Sequence, residues 1–141
     1  MVPTAEDIAY VPAENLHVSR ADFGAVWTAA EERMRSEGGW YLAGVCVTCR
    51  WVALAIVRPP NGGPGYVAYA PVTKTRRMAY AELVERESLR AEVQAMRPPA
   101  WLLEARPGWV EGVDATFAWL WRKAGPPPVP VERTASGPAA T

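Results

Sequence analysis

The run from Trp40 to Val57, WYLAGVCVTCRWVALAIV, holds a single charge, Arg50, and where it goes decides what the rest of the chain can be. As a bilayer span it is near the lower length limit, and a central arginine costs about 2.5–3.5 kcal/mol on insertion scales. No clusters of basic residues flank it, so a membrane span is not favoured. Its β-branched members Val45, Val47, Thr48, Val52, Ile56 and Val57 suit a strand, continuing through a hairpin at Asn61-Gly62-Gly63 into Gly65–Tyr69. That is the alternative fold, α+β with a hairpin around residues 45–70. A run of this length without a turn signal is better explained as a helix buried on most sides at the centre of a bundle.

Three further helices are predicted around it. Ser19 serves as an N-cap with Asp22 three residues on, and Phe23, Val26, Trp27, Ala30 and Met34 recur at helical spacing until Gly38-Gly39. After the Pro59–Gly65 loop, Thr73 or Thr75 is expected to cap a helix running to about Met96. Tyr80, Leu83, Val84, Val93 and Met96 form its expected apolar side, with Glu82 and Arg86 on an outward edge. Pro98 and Pro99 stop it, and a linker with Trp101, Leu102 and Leu103 leads to a fourth helix from about Trp109 to Ala124. There Val110, Val113, Phe117, Leu120, Trp121 and Ala124 share a face, and Trp119 falls opposite. The reading is a mainly α chain, a small bundle of about four helices. An irregular N-terminal arm (1–18) precedes the helical domain (19–125), and a Pro-rich tail (126–141) follows it.

Fifteen basic residues balance fifteen acidic ones over 141 positions, which removes long-range attraction to nucleic acid or anionic membranes. Residues 1–16 contain Glu6, Asp7 and Glu14 and lack the basic head and apolar run of an export signal, so a cytoplasmic protein is expected. Seven tryptophans each bring on the order of 200 Å² of surface that must be buried or presented. With Trp27, Trp40, Trp51 and Trp121 already in the bundle, Trp101, Trp109 and Trp119 are hard to bury as well. Together with Pro126, Pro127 and Pro128 they are the candidate partner-binding surface, for another protein or for self-association. The competing account has the arm and tail fold back over these rings.

Arg50, alone in the most apolar helix, calls for an acid to satisfy its donors, with Glu82 or Asp114 the preferred partners ahead of Asp22 and Glu85. Lys74, Arg76 and Arg77 at the start of the third helix would form a candidate anion-binding site, where backbone amides invite phosphate and nucleic acid is conceivable. Cys46 and Cys49 form half of a tetrahedral metal site, whose other half would need His17 with a carboxylate, or a second copy of the chain. Small apolar packing is the simpler role for these thiols. The sole histidine lies in the arm, no glycine-rich phosphate loop follows a strand, and Glu31 with Glu32 and Glu85 with Glu87 read as solvated helix faces. No catalytic residue, cofactor or metal is therefore expected.

The stretches AGVCVTCRWVA, APVTKTRRMAYAELVE, RPGWVEGV and AGPPP resemble short uncharacterised actinobacterial proteins encoded in mobile elements or phages. The resemblance covers roughly residues 40–130 and implies an accessory protein of such an element. It transfers no fold, activity or site residue. The function expected is a non-enzymatic protein-binding or assembly module using the Trp/Pro-rich surface. A nucleic-acid-associated regulator acting through the basic helix N-terminus is the alternative.

Overall fold

The computed structural model describes residues 1–131 and is mainly helical; residues 132–141 of the predicted tail lie outside the described residues. Six helices follow one another: α1 (Ala5–Ala9), α2 (Arg20–Ser36), α3 (Trp40–Val52), α4 (Ala81–Met96), α5 (Ala100–Ala105) and α6 (Trp109–Leu120). A 3₁₀ turn, Ala13–Asn15, separates α1 from α2, and two short strands, β1 (Ile56–Val57) and β2 (Tyr66–Val67), lie between α3 and α4. Among the described residues no helix is long and apolar enough to cross a membrane.

The apolar run is a helix, but only as far as Val52. Leu54 adopts φ 58°, its N–H bonds to the Trp51 carbonyl and the Ala55 N–H to the Arg50 carbonyl, which is a Schellman termination with leucine where glycine is usual. The last residues of the run then pair in the antiparallel register Ile56↔Val67 and Val57↔Tyr66. Helix and hairpin therefore coexist. The Asn61-Gly62-Gly63 turn is real, with Gly62 at φ 82° and the Asn61 side chain accepting from Gly63 N–H, while residues 45–52 are not strand.

Helix α3 packs against α6 and α2, and α4 covers the other side of α6. Tyr41 lies against Gly108 and Gly112 while Trp51 meets Phe117 edge-on, so α3 and α6 run parallel. Each contributes a Gly-x-x-x-Thr step to their crossing: Thr48 Oγ1 donates to the Gly44 carbonyl at 2.8 Å, and Thr116 Oγ1 to the Gly112 carbonyl at 2.7 Å. These bonds satisfy two buried hydroxyls internally, which leaves the glycine faces bare for close approach. Around them Val45, Cys49, Trp51, Val52, Val113, Phe117 and Leu120 are fully buried. Each large apolar side chain of this kind contributes about 1.5–3 kcal/mol by leaving water.

The arm and the segment after α6 close the ends of the bundle. Thr4 and Asp7 form a reciprocal capping box on α1, Val11 is completely buried, and His17 N–H donates to the Leu120 carbonyl at 2.9 Å. Asn15, also buried, joins two distant segments by donating to the carbonyls of Val52 and Ala79. α6 ends at Leu120, four residues before the predicted end at Ala124, and the chain then turns left-handed at Lys123 and Gly125. It then lays Val129 into the core, and Tyr41 Oη donates to the Pro128 carbonyl at 2.7 Å.

Two predicted elements change. Helix α4 begins at Ala81, not at Thr73 or Thr75. The 70–75 segment is instead a closed loop in which Thr75 accepts from Ala70 N–H, Ala70 from Lys74 N–H, and the α4 residue Glu87 from Val72 N–H, Thr73 N–H and Thr73 Oγ1. These bonds occupy the cap before a helix can use it. The linker after Pro99 contains α5, which buries Leu102 alone.

Candidate functional site

Arg50 points from α3 toward α2 and finds Glu31, not Glu82 or Asp114. The pair is bidentate: Nε to Oε2 and Nη2 to Oε1, each at 2.8 Å. Trp27 Nε1 donates to the same carboxylate at 3.1 Å, so Glu31, 2% exposed, is held by an indole and a guanidinium together. Its hydrogen bonds to Glu31 raise the Arg50 pKa and keep the guanidinium charged. Glu82 is exposed on α4, and Asp114 pairs with Arg122 at 2.6 Å, which also bonds Ser88. Glu31 was expected on a solvated face. It sits four residues after Trp27 on the apolar arc of α2, and that spacing is the signal that marks it as buried. Glu87 is buried by the same logic, four residues from Leu83 and from Ala91.

The solvent edge of this ion pair opens into a cleft of about 820 Å³, which Tyr10, Leu54, Ile56 and Arg58 also line. Cys46 and Cys49 lie on the same turn of α3 and are buried. Burial, then the nearby Glu31 carboxylate, push the Cys46 thiol up to about 12, and burial holds Cys49 well above its ordinary range. Both thiols are therefore neutral and unreactive in the fold, and neither can reach a second copy to bridge a metal. Among the described residues no three histidine, cysteine or acidic side chains gather as a metal site.

Lys74, Arg76 and Arg77 lie in the loop before α4 rather than at its N-terminus, so no helix dipole acts on them. The structure adds Arg106 to the group. Lys74 Nζ stands 4.1 Å from the centre of the Trp109 ring, Arg76 is 5.1 Å from Tyr69, and Arg106 is 5.4 Å from Trp40 and 5.8 Å from Trp109. Partial burial and the neighbouring Arg106 lower the Lys74 pKa. Among the described residues none of these four cations forms an ion pair with a carboxylate.

The Trp/Pro surface does not assemble as expected. Trp109 is 3% exposed, Trp119 packs partly buried against the core, and Pro128 is covered, whereas Pro126 and Pro127 remain exposed. The segment after α6 folds back onto the domain through Pro128 and Val129. Trp101 alone stays open, at 65% exposure on α5.

The apolar surface lies on α4 instead. Val93 and Met96, assigned from sequence to its core side, are 62% and 73% exposed, and Leu89 joins them at 51%. The buried residues of α4 are Leu83, Val84, Glu87, Ser88 and Ala91. At 100° per residue the three exposed side chains fall within an arc of about 60° opposite that buried face. The chain's hydrophobicity along α4 is thus divided between two faces, the inner packed on α6 and the outer exposed among the described residues. Comparison of the chain with protein-family models, curated proteins and solved structures gave no match.

Proposed function

We propose that the chain is a non-enzymatic protein-binding or assembly module of the cytoplasm, and that its docking face is the outer side of α4. The observation that carries this reading is the row Leu89, Val93 and Met96, more than half exposed on a helix whose other face is fully packed. Single exposed apolar residues are ordinary on a protein surface, but a row aligned along one helix resembles the anchors by which helices dock.

The test is a photo-crosslinking side chain introduced at Val93 in the full chain, in its native cell, with Glu14 on the exposed 3₁₀ turn as the control position. Discrete adducts from position 93 and none from position 14 are expected. Equal labelling from both positions, or none from either, overturns the docking face.

A second reading rests on Lys74, Arg76, Arg77 and Arg106, cations interleaved with the exposed rings of Trp40 and Tyr69 in the pattern that suits single-stranded nucleic acid. It predicts affinity for a single-stranded oligonucleotide that falls steeply with salt and weakens in the Arg76→Ala, Arg77→Ala double variant. Salt-independent binding, or none at low salt, removes it.

A further inference from the structure

The outer face of α4 carries more information than its hydrophobicity. Leu89, Val93 and Met96 are spaced four and three residues apart, the alternation of core positions in a coiled-coil seam. On one flank of this row stand Glu92 and, bonded to Trp121 Nε1, Glu85; on the other stand Arg90 and the C-cap residue Arg97, and all four are exposed. Each glutamate precedes an arginine by five residues. In seam notation Leu89 and Met96 occupy d and Val93 occupies a, so the glutamates fall at g and the arginines at e.

Flank charges decide what such a row accepts. In a parallel pair the g residue of one helix faces the e residue five positions later on the other, so Glu92 meets Arg97, twice by symmetry. In an antiparallel pair g faces g and e faces e, which brings glutamate against glutamate and arginine against arginine. We propose that α4 is the self-association face of this protein, pairing in parallel with α4 of a second copy about a two-fold axis along the helix. The proposal rests on the reading of this face as a docking surface and names its partner.

The seam has a defined limit. Continuing it toward the N-terminus places Arg86 at a and Glu82 at d, where like charges from the two copies would meet on the axis. Contact is therefore confined to the last two turns of α4. Both helices are already folded and held by their own domains, so association does not have to order them. Three side chains per copy cover less than the roughly 800 Å² per partner of a stable interface, which sets the expected dissociation constant on the order of 10–100 µM.

The experiment is sedimentation equilibrium of the full chain from about 10 µM to 1 mM, a range that brackets this affinity. Variants are placed on the exposed outer face, and circular dichroism verifies that each keeps its helix content. A monomer–dimer equilibrium is expected, lost in Val93→Asp. Glu92→Arg and Arg97→Glu should each weaken self-association roughly tenfold, since each creates two like-charge contacts, and an equimolar mixture of the two should recover the affinity of the unmodified chain. Orientation is read independently from Leu89→Cys and Met96→Cys, tested one at a time under mild oxidation: in a parallel pair each residue faces its own copy, so both should cross-link. A Glu92→Arg variant that dimerises more tightly, or cross-linking at only one of the two cysteine positions, overturns the parallel arrangement. A chain monomeric throughout overturns self-pairing altogether. In that case adducts from position 93 to another protein still sustain the docking face, and their absence removes both.

Discussion

Replacing Gly112 by alanine isolates the closest approach in the molecule. A methyl group there would all but overlap the carbonyl oxygen of Tyr41 and stand 3.1 Å from its carbonyl carbon. At Gly44, on the facing helix, a methyl group would lie 2.5 Å from the Trp109 carbonyl oxygen and 3.1 Å from the Val113 nitrogen. Ordinary contact begins near 3.4 Å, so the obstruction at Gly44 is close to 1 Å, and it is backbone, which cannot rotate away. α3 and α6 must separate, and a gap of 0.5–1 Å forfeits about a quarter to a half of the dispersion energy of the atoms that part. Overpacking of this kind costs about 1–3 kcal/mol or more, against which alanine returns about 1 kcal/mol of helix propensity. We expect Gly112→Ala to lose about 2 kcal/mol net. Gly24→Ala supplies the control. It is also within a helix, but its methyl group meets only the Ile8 side chain, at 2.6 and 2.8 Å, and that side chain can move. Its net change should lie between zero and a gain of about 0.5 kcal/mol. Urea unfolding followed by tryptophan fluorescence, with midpoint and slope compared across the three proteins, measures the difference. A Gly112→Ala protein as stable as the parent, or one no less stable than Gly24→Ala, would refute the account of the crossing.

Three shorter expectations follow from the interior and its caps. Glu31→Gln leaves the Arg50 guanidinium without its carboxylate beneath the cleft and should cost about 3 kcal/mol in urea unfolding, whereas Glu31→Gln with Arg50→Met should recover much of that loss. Burial pushes the Cys46 thiol up to about 12 and holds Cys49 well above its ordinary value of 9.0, where both lose their protons in the unfolded chain. Above that pH the unfolded state binds fewer protons, so stability present at neutral pH falls by up to about 1.4 kcal/mol per pH unit for each thiol. The decline should flatten in a Cys46→Ala, Cys49→Ala protein, and iodoacetamide at pH 8 should label neither thiol until denaturant is added. Lys123→Gly removes a side chain from an exposed residue at φ 54° and should stabilise by about 1 kcal/mol, read as a rise in melting temperature; a fall would show that the lysine makes a contact of its own.

The helices were legible where their stop signals are local. Ser19, Gly38-Gly39, Pro98-Pro99 and Gly108 bound their elements as read, because caps and breakers act over a few residues. What escaped is decided at a distance. Thr73 looks like an N-cap until Glu87, fourteen residues on, takes its hydroxyl and two neighbouring amides. The partner of Arg50 was sought among acids of other helices by general position, yet Glu31 could have been found on a helical wheel, one turn after Trp27. Val93 and Met96 were grouped with Leu83 and Val84 because all are apolar. The mean directions of the two pairs differ by about 160° on the helix, which puts them on opposite faces, and only the packed structure shows the second face exposed.

The parallel crossing of α3 and α6 also dictates when the protein can fold. Parallel neighbours cannot be joined by a short turn, and here the connection runs from Ala53 to Gly108. The amide of His17 waits for the carbonyl of Leu120, and the hydroxyl of Tyr41 for that of Pro128. A nascent chain therefore carries the α6-facing side of α3, Trp51 included, uncovered throughout the synthesis of α4 and α5, and its core closes only after α6 has emerged. Folding is consequently a late, long-range event rather than a progressive one. A chain cut before Trp109 is not a smaller version of this domain but an unfolded polypeptide with its most apolar helix exposed.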